Sequence, residues 1–189
     1  MGKVVVTEFI SLDGVFEDPG GAEGTPIAGW TFRFDQGEEG RRFKLAELRA
    51  ADAQLLGRVT YEGFARAWPT MRDEAGFAER MNSLPKYVVS TTLQTPSWGP
   101  ATVIRGDLPE RLGELRTSHP GDVLVAGSGR LVRSLVEHDL VDELRLMVFP
   151  VVLGQGRRLF EGTAERSFRL VSSQPVGPDG VVVLTYGRA

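Results

Sequence analysis

The segment from Val123 to Leu135, VLVAGSGRLVRSL, is the part of the chain that most constrains its fold. A short apolar run ends at Ala126, a Gly-Ser-Gly turn follows, and Leu131, Val132 and Leu135 then recur at helical spacing. This order predicts a buried strand, a tight turn and a helix. Such a junction directs free backbone N–H groups and the positive end of a helix dipole to one point, which favours a phosphate. A Gly-Ser-Gly turn also commonly connects a strand to a helix without binding a ligand. The motif alone therefore does not distinguish a phosphate site from an ordinary turn.

A second junction of this type lies upstream, where the apolar run Ala53–Leu56 meets Gly57 and a helical pattern begins. Arg58 falls in the predicted turn, and Thr60 is the predicted N-cap of the helix. A guanidinium beside free backbone amides suits a phosphate monoester, because it can donate two parallel hydrogen bonds. The alternative for Arg58 is a solvated turn residue that binds nothing.

A third strand end, from Tyr87 to Thr92, carries the clustered hydroxyls of Ser90 and Thr91. In an open α/β sheet, ligands bind outside the carboxyl ends of parallel strands. Three such ends that offer glycine, arginine, serine and threonine predict one long ligand with several phosphates. A dinucleotide fits that description.

Apolar runs alternate with helical patterns along the whole chain. The predicted strands are 3–11, 53–56, 86–91, 101–105, 122–126 and 142–149, and the predicted helices are 36–51, 60–68, 74–83, 108–117 and 129–138. Two final strands, 168–175 and 181–187, are joined by the turn sequence VGPDG. The pattern predicts an α/β fold with three layers: a doubly wound, mostly parallel sheet that ends in an antiparallel hairpin. Residues 1–189 form one predicted domain.

Composition narrows the classes of partner. The 22 basic and 25 acidic residues give a net charge of −3, which argues against general binding to nucleic acid or anionic membranes. The absence of cysteine excludes disulfides, thiolate zinc sites and cysteine nucleophiles, and no metal site is predicted. No stretch approaches the ~20 apolar residues of a membrane span. The start of the sequence lacks a signal-peptide pattern, so a cytoplasmic location is expected. The composition agrees with a soluble enzyme, for which a small-molecule substrate is expected.

Five motifs in order carry a family resemblance that extends from about residue 3 to residue 187. The motifs LGRVT at 56–60, VST at 89–91 and AGSG at 126–129 resemble those of dihydrofolate reductases in order and approximate spacing. The motifs FISLDG at 9–14 and FPVVLGQG at 149–156 are more similar to the reductase domain of riboflavin-pathway deaminase-reductases, in a stand-alone bacterial form. The resemblance implies a dihydrofolate reductase-like fold.

The resemblance also implies NADPH as the cofactor. Arg58 and Ser90 would bind the 2′-phosphate of the adenosine, and Thr60 would join the backbone amides of the Gly-Ser-Gly turn at the bridging phosphates. The full set of implied cofactor-binding residues is Gly57, Arg58, Thr60, Ser90, Thr91, Gly127, Ser128, Gly129 and Arg130. NADH has no 2′-phosphate to pair with Arg58, so the resemblance implies a preference for NADPH.

By the same resemblance, the protein would transfer a hydride to a C=N or C=O group of a small heterocycle, similar to 5-amino-6-(5-phosphoribosylamino)uracil reductase. Asp13, at the end of the first strand, is the candidate catalytic residue, and its alternative role is an Asx turn. Trp30 and Phe34 would form an aromatic wall over a planar substrate, or else pack as core.

Three other hypotheses stay open at this stage. A true dihydrofolate reductase needs a helix carboxylate for the pterin, and none of Asp35, Glu38 and Glu39 aligns securely with it. A binding protein that keeps the nucleotide fold without turnover is a second hypothesis. A dimeric structural module, in which the terminal hairpin and strand 142–149 pair across subunits, is the third. Relatives of the riboflavin reductase type commonly dimerise, so the resemblance implies a homodimer.

Overall fold

The computed structural model describes residues 2–189, which form eight strands and five helices. The strands are β1 Val4–Ser11, β2 Ala51–Gly57, β3 Lys86–Val89, β4 Ala101–Ile104, β5 Asp122–Ala126, β6 Glu143–Phe149, β7 Phe168–Val176 and β8 Val181–Arg188. The helices are α1 Gly37–Ala50, α2 Arg58–Ala67, α3 Phe77–Ser83, α4 Leu108–Ser118 and α5 Gly129–Glu137. Short 3₁₀ turns cover Trp30–Arg33 and Trp68–Thr70.

All eight strands join one sheet in the order β4-β3-β2-β5-β1-β6-β8-β7. The first six strands in this order run parallel, whereas β8 pairs antiparallel with both β6 and β7. The predicted mostly parallel sheet with a C-terminal antiparallel hairpin is therefore confirmed. The alternation of strands and helices made it predictable, because parallel neighbours require crossover helices.

Helices cover both faces of the sheet, which gives three layers. Leu48 of α1, Tyr61 of α2 and Met81 of α3 belong to one core cluster, together with Val5 of β1. On the opposite face, α4 and α5 pack against Val4, Val6, Val123 and Val125 through Leu112, Leu115, Leu131, Val132 and Leu135. The chain therefore leaves the neighbouring strands β2 and β5 towards opposite faces. This divergence opens a crevice at the carboxyl ends of the two strands, which is where open α/β sheets bind ligands.

Two helix starts differ in how they are capped. The side chain of Asp107 caps α4 by accepting a hydrogen bond from the backbone N–H of Glu110 at 2.9 Å. Thr60 is not the N-cap of α2. That helix begins two residues earlier, because the extended backbone of Gly57 lets the chain turn at once into Arg58. The hydroxyl of Thr60 instead accepts a hydrogen bond from another loop.

Among residues 2–189, no helix combines the length and the apolar character that crossing a membrane requires. The cytoplasmic compartment stays a prediction.

Candidate functional site

Two strand–helix junctions are tied together at the crevice between β2 and β5. The backbone N–H of Gly57 donates a hydrogen bond to Oγ of Ser128 at 2.8 Å. The same hydroxyl donates to Oγ1 of Thr60, also at 2.8 Å. These hydroxyls hold the N-termini of α2 and α5 side by side. The backbone N–H groups of the first turns, which have no partner within their own helix, are then the groups offered to a ligand.

The Gly-Ser-Gly turn requires its glycines. Gly127 has a φ of 56°, and a Cβ placed on it would lie 2.9 Å from the side chain of Thr60. A Cβ on Gly129 would overlap the ring of Phe16. Ser128 itself sits in the left-handed region at φ 65°. The turn is thus packed so closely against Thr60 and Phe16 that a side chain at Gly127 or Gly129 would displace it.

A buried carboxyl group lies beneath this turn. Glu8, in the middle of β1, is buried, and its carboxyl accepts a hydrogen bond from the backbone N–H of Gly127. Burial raises the pKa of Glu8 to about 8, although the charge of Lys44 opposes the shift. Glu8 therefore holds a proton near neutral pH. Sequence reasoning missed this residue; the signal was a single acidic residue within the apolar strand VVVTEFIS.

Arg58 lies at the junction as predicted, on the first turn of α2, with its side chain exposed. Its Nη1 atom contacts both carboxylate oxygens of Glu62, at 2.9 and 3.1 Å. An exposed pair of this kind on one helix contributes only about 0.3–0.5 kcal/mol. A phosphate that accepts hydrogen bonds from the guanidinium gives about 1.5–3 kcal/mol, so the exchange of partners is favourable.

The third strand end adjoins the first two, since Val89 of β3 is the register partner of Gly57. Oγ of Ser90 accepts hydrogen bonds from the backbone N–H groups of Thr92 and Leu93, at 3.2 and 2.9 Å, so this hydroxyl also shapes its own turn. Thr91 and Arg130, at the mouths of two of the junctions, are exposed. All the predicted cofactor-binding residues therefore lie along one edge of the sheet.

Asp13 joins two loops at the neighbouring strand ends. Its carboxylate accepts hydrogen bonds from Oγ of Ser11 at 2.7 Å and from the backbone N–H groups of Leu153 and Gly154 at 3.0 and 2.9 Å. The hydrogen bond from Ser11 lowers the pKa of Asp13 to about 2, with help from the two backbone donors. Asp13 is therefore ionised at neutral pH and accepts hydrogen bonds rather than donating a proton.

The two predicted substrate-wall aromatics differ in exposure. Trp30 is fully buried, its indole N–H donates to the carbonyl of Glu17 at 2.8 Å, and its ring meets Phe149 edge-on at 5.4 Å. Phe34 is half-buried and meets the same phenylalanine at 5.9 Å. Trp30 therefore packs as core, which is the alternative role named for it, and it cannot face a substrate. Phe34 keeps an accessible surface, and its contact with a substrate stays a prediction.

Two surface hollows lie away from the crevice. One, of about 740 Å³, is lined by α3 and Trp98, and the other, of about 330 Å³, lies between α5 and the terminal hairpin. Neither is lined by a residue of the three strand–helix junctions.

Comparison with solved structures defines the class of the fold. A crystal structure from Shewanella sp. PV-4, whose name refers to riboflavin biosynthesis, superposes with a TM-score of 0.79 at 23% identity, covering 100% of this chain and 99% of that one. Dihydrofolate reductase from Enterococcus faecalis, solved with NADP(H), gives a TM-score of 0.61 at 14% identity, covering 99% and 96%. The fold is dihydrofolate reductase-like.

A family model identifies the family to which the chain belongs within this class of fold. The RibD C-terminal domain model matches residues 2–182, and the chain belongs to that family. A deaminase/5-amino-6-(5-phosphoribosylamino)uracil reductase from Thermotoga maritima has a TM-score of 0.65 at 17% identity, and the match spans this whole chain and 57% of that one. The uncharacterized protein YyaP of Bacillus subtilis strain 168 is 29% identical over 143 residues, which cover 74% of this chain and 75% of the relative. The family supports an oxidoreductase related to the riboflavin-pathway reductases.

Proposed function

We propose that this protein is an NADPH-dependent reductase that adds a hydride to a C=N or C=O group of a small heterocyclic substrate. The observation that carries the proposal is the tied pair of junctions, in which Ser128 joins Gly57 to Thr60. It sets two helix N-termini next to each other, which suits the two bridging phosphates of a dinucleotide. Membership of a family of reductase domains supports the same conclusion.

Different residues of the crevice would bind different parts of the cofactor. The backbone N–H groups of Ser128 and Gly129 would hold the bridging phosphates, since that of Gly127 is directed at Glu8, and Arg58 with Ser90 would hold the 2′-phosphate. When bound, the nicotinamide supplies the hydride, and the protein supplies orientation and exclusion of water. Asp13 would hold the loops that close this end of the sheet.

Calorimetric titration with NADPH and separately with NADH tests the cofactor. We expect tight binding of NADPH and a clear preference over NADH. Loss of nicotinamide absorbance on adding 5-amino-6-(5-phosphoribosylamino)uracil, with dihydrofolate as the comparison, then tests the reaction. Binding without turnover of either compound would favour the binding protein over the reductase, and binding of neither nucleotide would overturn the proposal.

We also propose that two copies associate through the terminal hairpin. β7 lies at the edge of the sheet, and Leu170 and Val171 on it are 52% and 58% exposed. An exposed apolar edge strand is a template for pairing with another chain, and a lysine on such an edge opposes pairing. Light scattering should give about twice the chain mass of 20.7 kDa for the wild type and the single mass for Leu170→Lys. Met71→Lys, at an exposed apolar residue remote from the hairpin, should stay dimeric. A monomeric wild type would overturn this proposal.

A further inference from the structure

A polar cluster interrupts the apolar core between β1 and α1. Nζ of Lys44 donates a hydrogen bond to Oγ1 of Thr7 at 2.7 Å and lies 2.6 Å from Oε2 of Glu47. Thr7 donates to the same carboxylate oxygen at 3.1 Å. The other oxygen of Glu47 has no hydrogen-bond partner among residues 2–189, and Arg145 lies 3.7 Å from it. Four polar side chains thus meet on one face of the sheet.

The cluster lies directly beside the Gly-Ser-Gly turn. Thr7 is the register partner of Ala126 on β5, the last residue before Gly127. Neighbouring strands lie about 4.8 Å apart, so this row of the sheet is within one strand spacing of the turn. The adjacent residue Glu8 holds the turn itself from the opposite face. On β1, Glu8 therefore contacts the Gly-Ser-Gly turn, and the preceding residue, Thr7, contacts Lys44.

The apolar core on this face stops where the cluster begins. Val5 and Leu124, two residues earlier on the same strands, are buried members of the core. At the next row facing α1, Thr7 lies between the partly exposed Ala126 of β5 and Arg145 of β6, so polar groups replace the apolar core there. A compound bound at the exposed side of this row would have the Gly-Ser-Gly turn at one end.

Lys44 is the most exposed charged member of this cluster. Its side chain is 18% exposed, whereas that of Glu47 is 2% exposed, so the ammonium is the accessible member of the ion pair. Nζ lies 5.1 Å from the centre of the Phe9 ring, which is partly exposed and packs edge-on against Phe149. A lysine ammonium has three N–H donors, and Thr7 and Glu47 take two. The third is available to an acceptor atom of a ligand beside Phe9.

We infer that Lys44 binds the heteroatom of the C=N or C=O group that is reduced and delivers the proton to it; this inference rests on the proposed function. Addition of the hydride to the carbon pushes the π electron pair onto nitrogen or oxygen, and that atom takes a proton from Nζ. The new bonds are C–H and N–H or O–H, and Lys44 regains its proton from solvent. Glu47 and Thr7 are positioning residues that aim the ammonium.

Substitutions at Lys44 separate binding from proton delivery. Lys44→Arg keeps the positive charge, but a guanidinium does not release its proton. Lys44→Met removes both charge and proton. Proton delivery by a side chain contributes about 10²–10⁴-fold to rate. We therefore expect Lys44→Met to lose about 10-fold in substrate affinity and about 100-fold or more in kcat, and Lys44→Arg to recover the affinity but not kcat.

The measurement uses 5-amino-6-(5-phosphoribosylamino)uracil as the probe. Calorimetry on protein saturated with NADP⁺ gives the probe's affinity without turnover, and oxidation of NADPH gives kcat across pH. Lys3→Met, at an exposed lysine 3.5 Å from Glu143, is the matched control and should behave as wild type. If Lys44→Met leaves Glu47 unpaired and fails to fold, the double variant Lys44→Met/Glu47→Gln removes both charges together.

The outcomes distinguish this inference from the proposed function. A wild type that binds no NADPH overturns the proposed function and the role of Lys44 with it. A wild type that binds NADPH but neither binds nor reduces the probe likewise counts against the proposed reductase and against the role of Lys44. When the wild type binds NADPH and reduces the probe, the assignment of Lys44 alone is overturned if Lys44→Met keeps wild-type affinity and kcat, or if Lys44→Arg recovers full kcat.

Discussion

At the scale of single residues, we expect the pair Arg58–Glu62 to determine which nucleotide the crevice prefers. A carboxylate at this place suits the 2′-hydroxyl of NADH, whereas a free guanidinium suits the 2′-phosphate of NADPH. Arg58→Ala should weaken NADPH binding by about 1.5–3 kcal/mol and leave NADH binding within about threefold, because only the phosphate loses a charge-assisted hydrogen bond. Glu62→Gln should strengthen NADPH binding by freeing the guanidinium. Parallel calorimetric titrations check both; equal losses for the two nucleotides in Arg58→Ala would contradict the assignment.

Glu8 makes stability depend on pH. The folded protein keeps this carboxyl protonated up to a pKa of about 8, whereas the unfolded chain releases the proton near 4.5. Between these values the folded state binds more protons, so the free energy of unfolding falls as pH rises. Glu8→Gln cannot ionise and still offers an oxygen to Gly127. Urea unfolding should show similar stability for both proteins below pH 4.5, and a variant more stable by a few kcal/mol above pH 8. A wild type with the same pH dependence as the variant would refute the shift.

At the scale of elements, the hydrogen bonds of Ser128 link the β2–α2 and β5–α5 junctions. We expect this link to affect NADPH binding, although the Ser128 hydroxyl is already hydrogen-bonded to other groups of the protein. Ser128→Ala removes the acceptor of the Gly57 N–H and the donor to Thr60. The loss of these two hydrogen bonds should cost about 1–3 kcal/mol of stability. NADPH affinity should fall by about 10-fold as the two helix N-termini separate. Ser134→Ala, on the same helix but away from the turn, is the control. If the Ser128→Ala protein is destabilised but binds NADPH with unchanged affinity, the hydrogen bonds of Ser128 do not contribute to the binding site.

The elements also show how far sequence reasoning reaches. Apolar periodicity located β1, β5, α5 and the terminal hairpin, because the spacing of buried residues is a local property of the chain. The assignment of Thr60 as an N-cap was wrong, because its hydroxyl accepts a hydrogen bond from Ser128, which is 68 residues away in sequence. The contacts of Glu8 and of Lys44 depend on the register of β1 against β5 and on the rotation of α1. Strand register and helix rotation are set by tertiary packing, so no local sequence pattern predicts them.

At the scale of the whole molecule, Asp13 connects the ends of two parallel strands through residues 140 and 141 positions away in sequence. Its carboxylate joins the loop after β1 to the backbone at Leu153 and Gly154 after β6. The pKa of Asp13, lowered to about 2 from 3.8, means that its ionised form stabilises the fold above pH 3.8, and that this contribution is lost as pH falls towards 2.

Asp13→Asn keeps the shape but turns one acceptor oxygen into a donor, which faces the backbone N–H donors. We expect it to cost about 1–2 kcal/mol of stability at neutral pH and to reduce the acid sensitivity of the protein. Turnover should fall while NADPH affinity stays within about threefold, because the phosphate-binding turn belongs to β5 and the displaced loops to β1 and β6. Ser11→Ala, which removes one neutral donor to the same carboxylate, should give a smaller loss of both stability and turnover. Thermal unfolding, NADPH titration and NADPH oxidation on the three proteins decide the matter. An Asp13→Asn protein with normal stability and lost turnover would assign Asp13 to the chemistry, whereas normal turnover in a destabilised protein would restrict it to holding the loops.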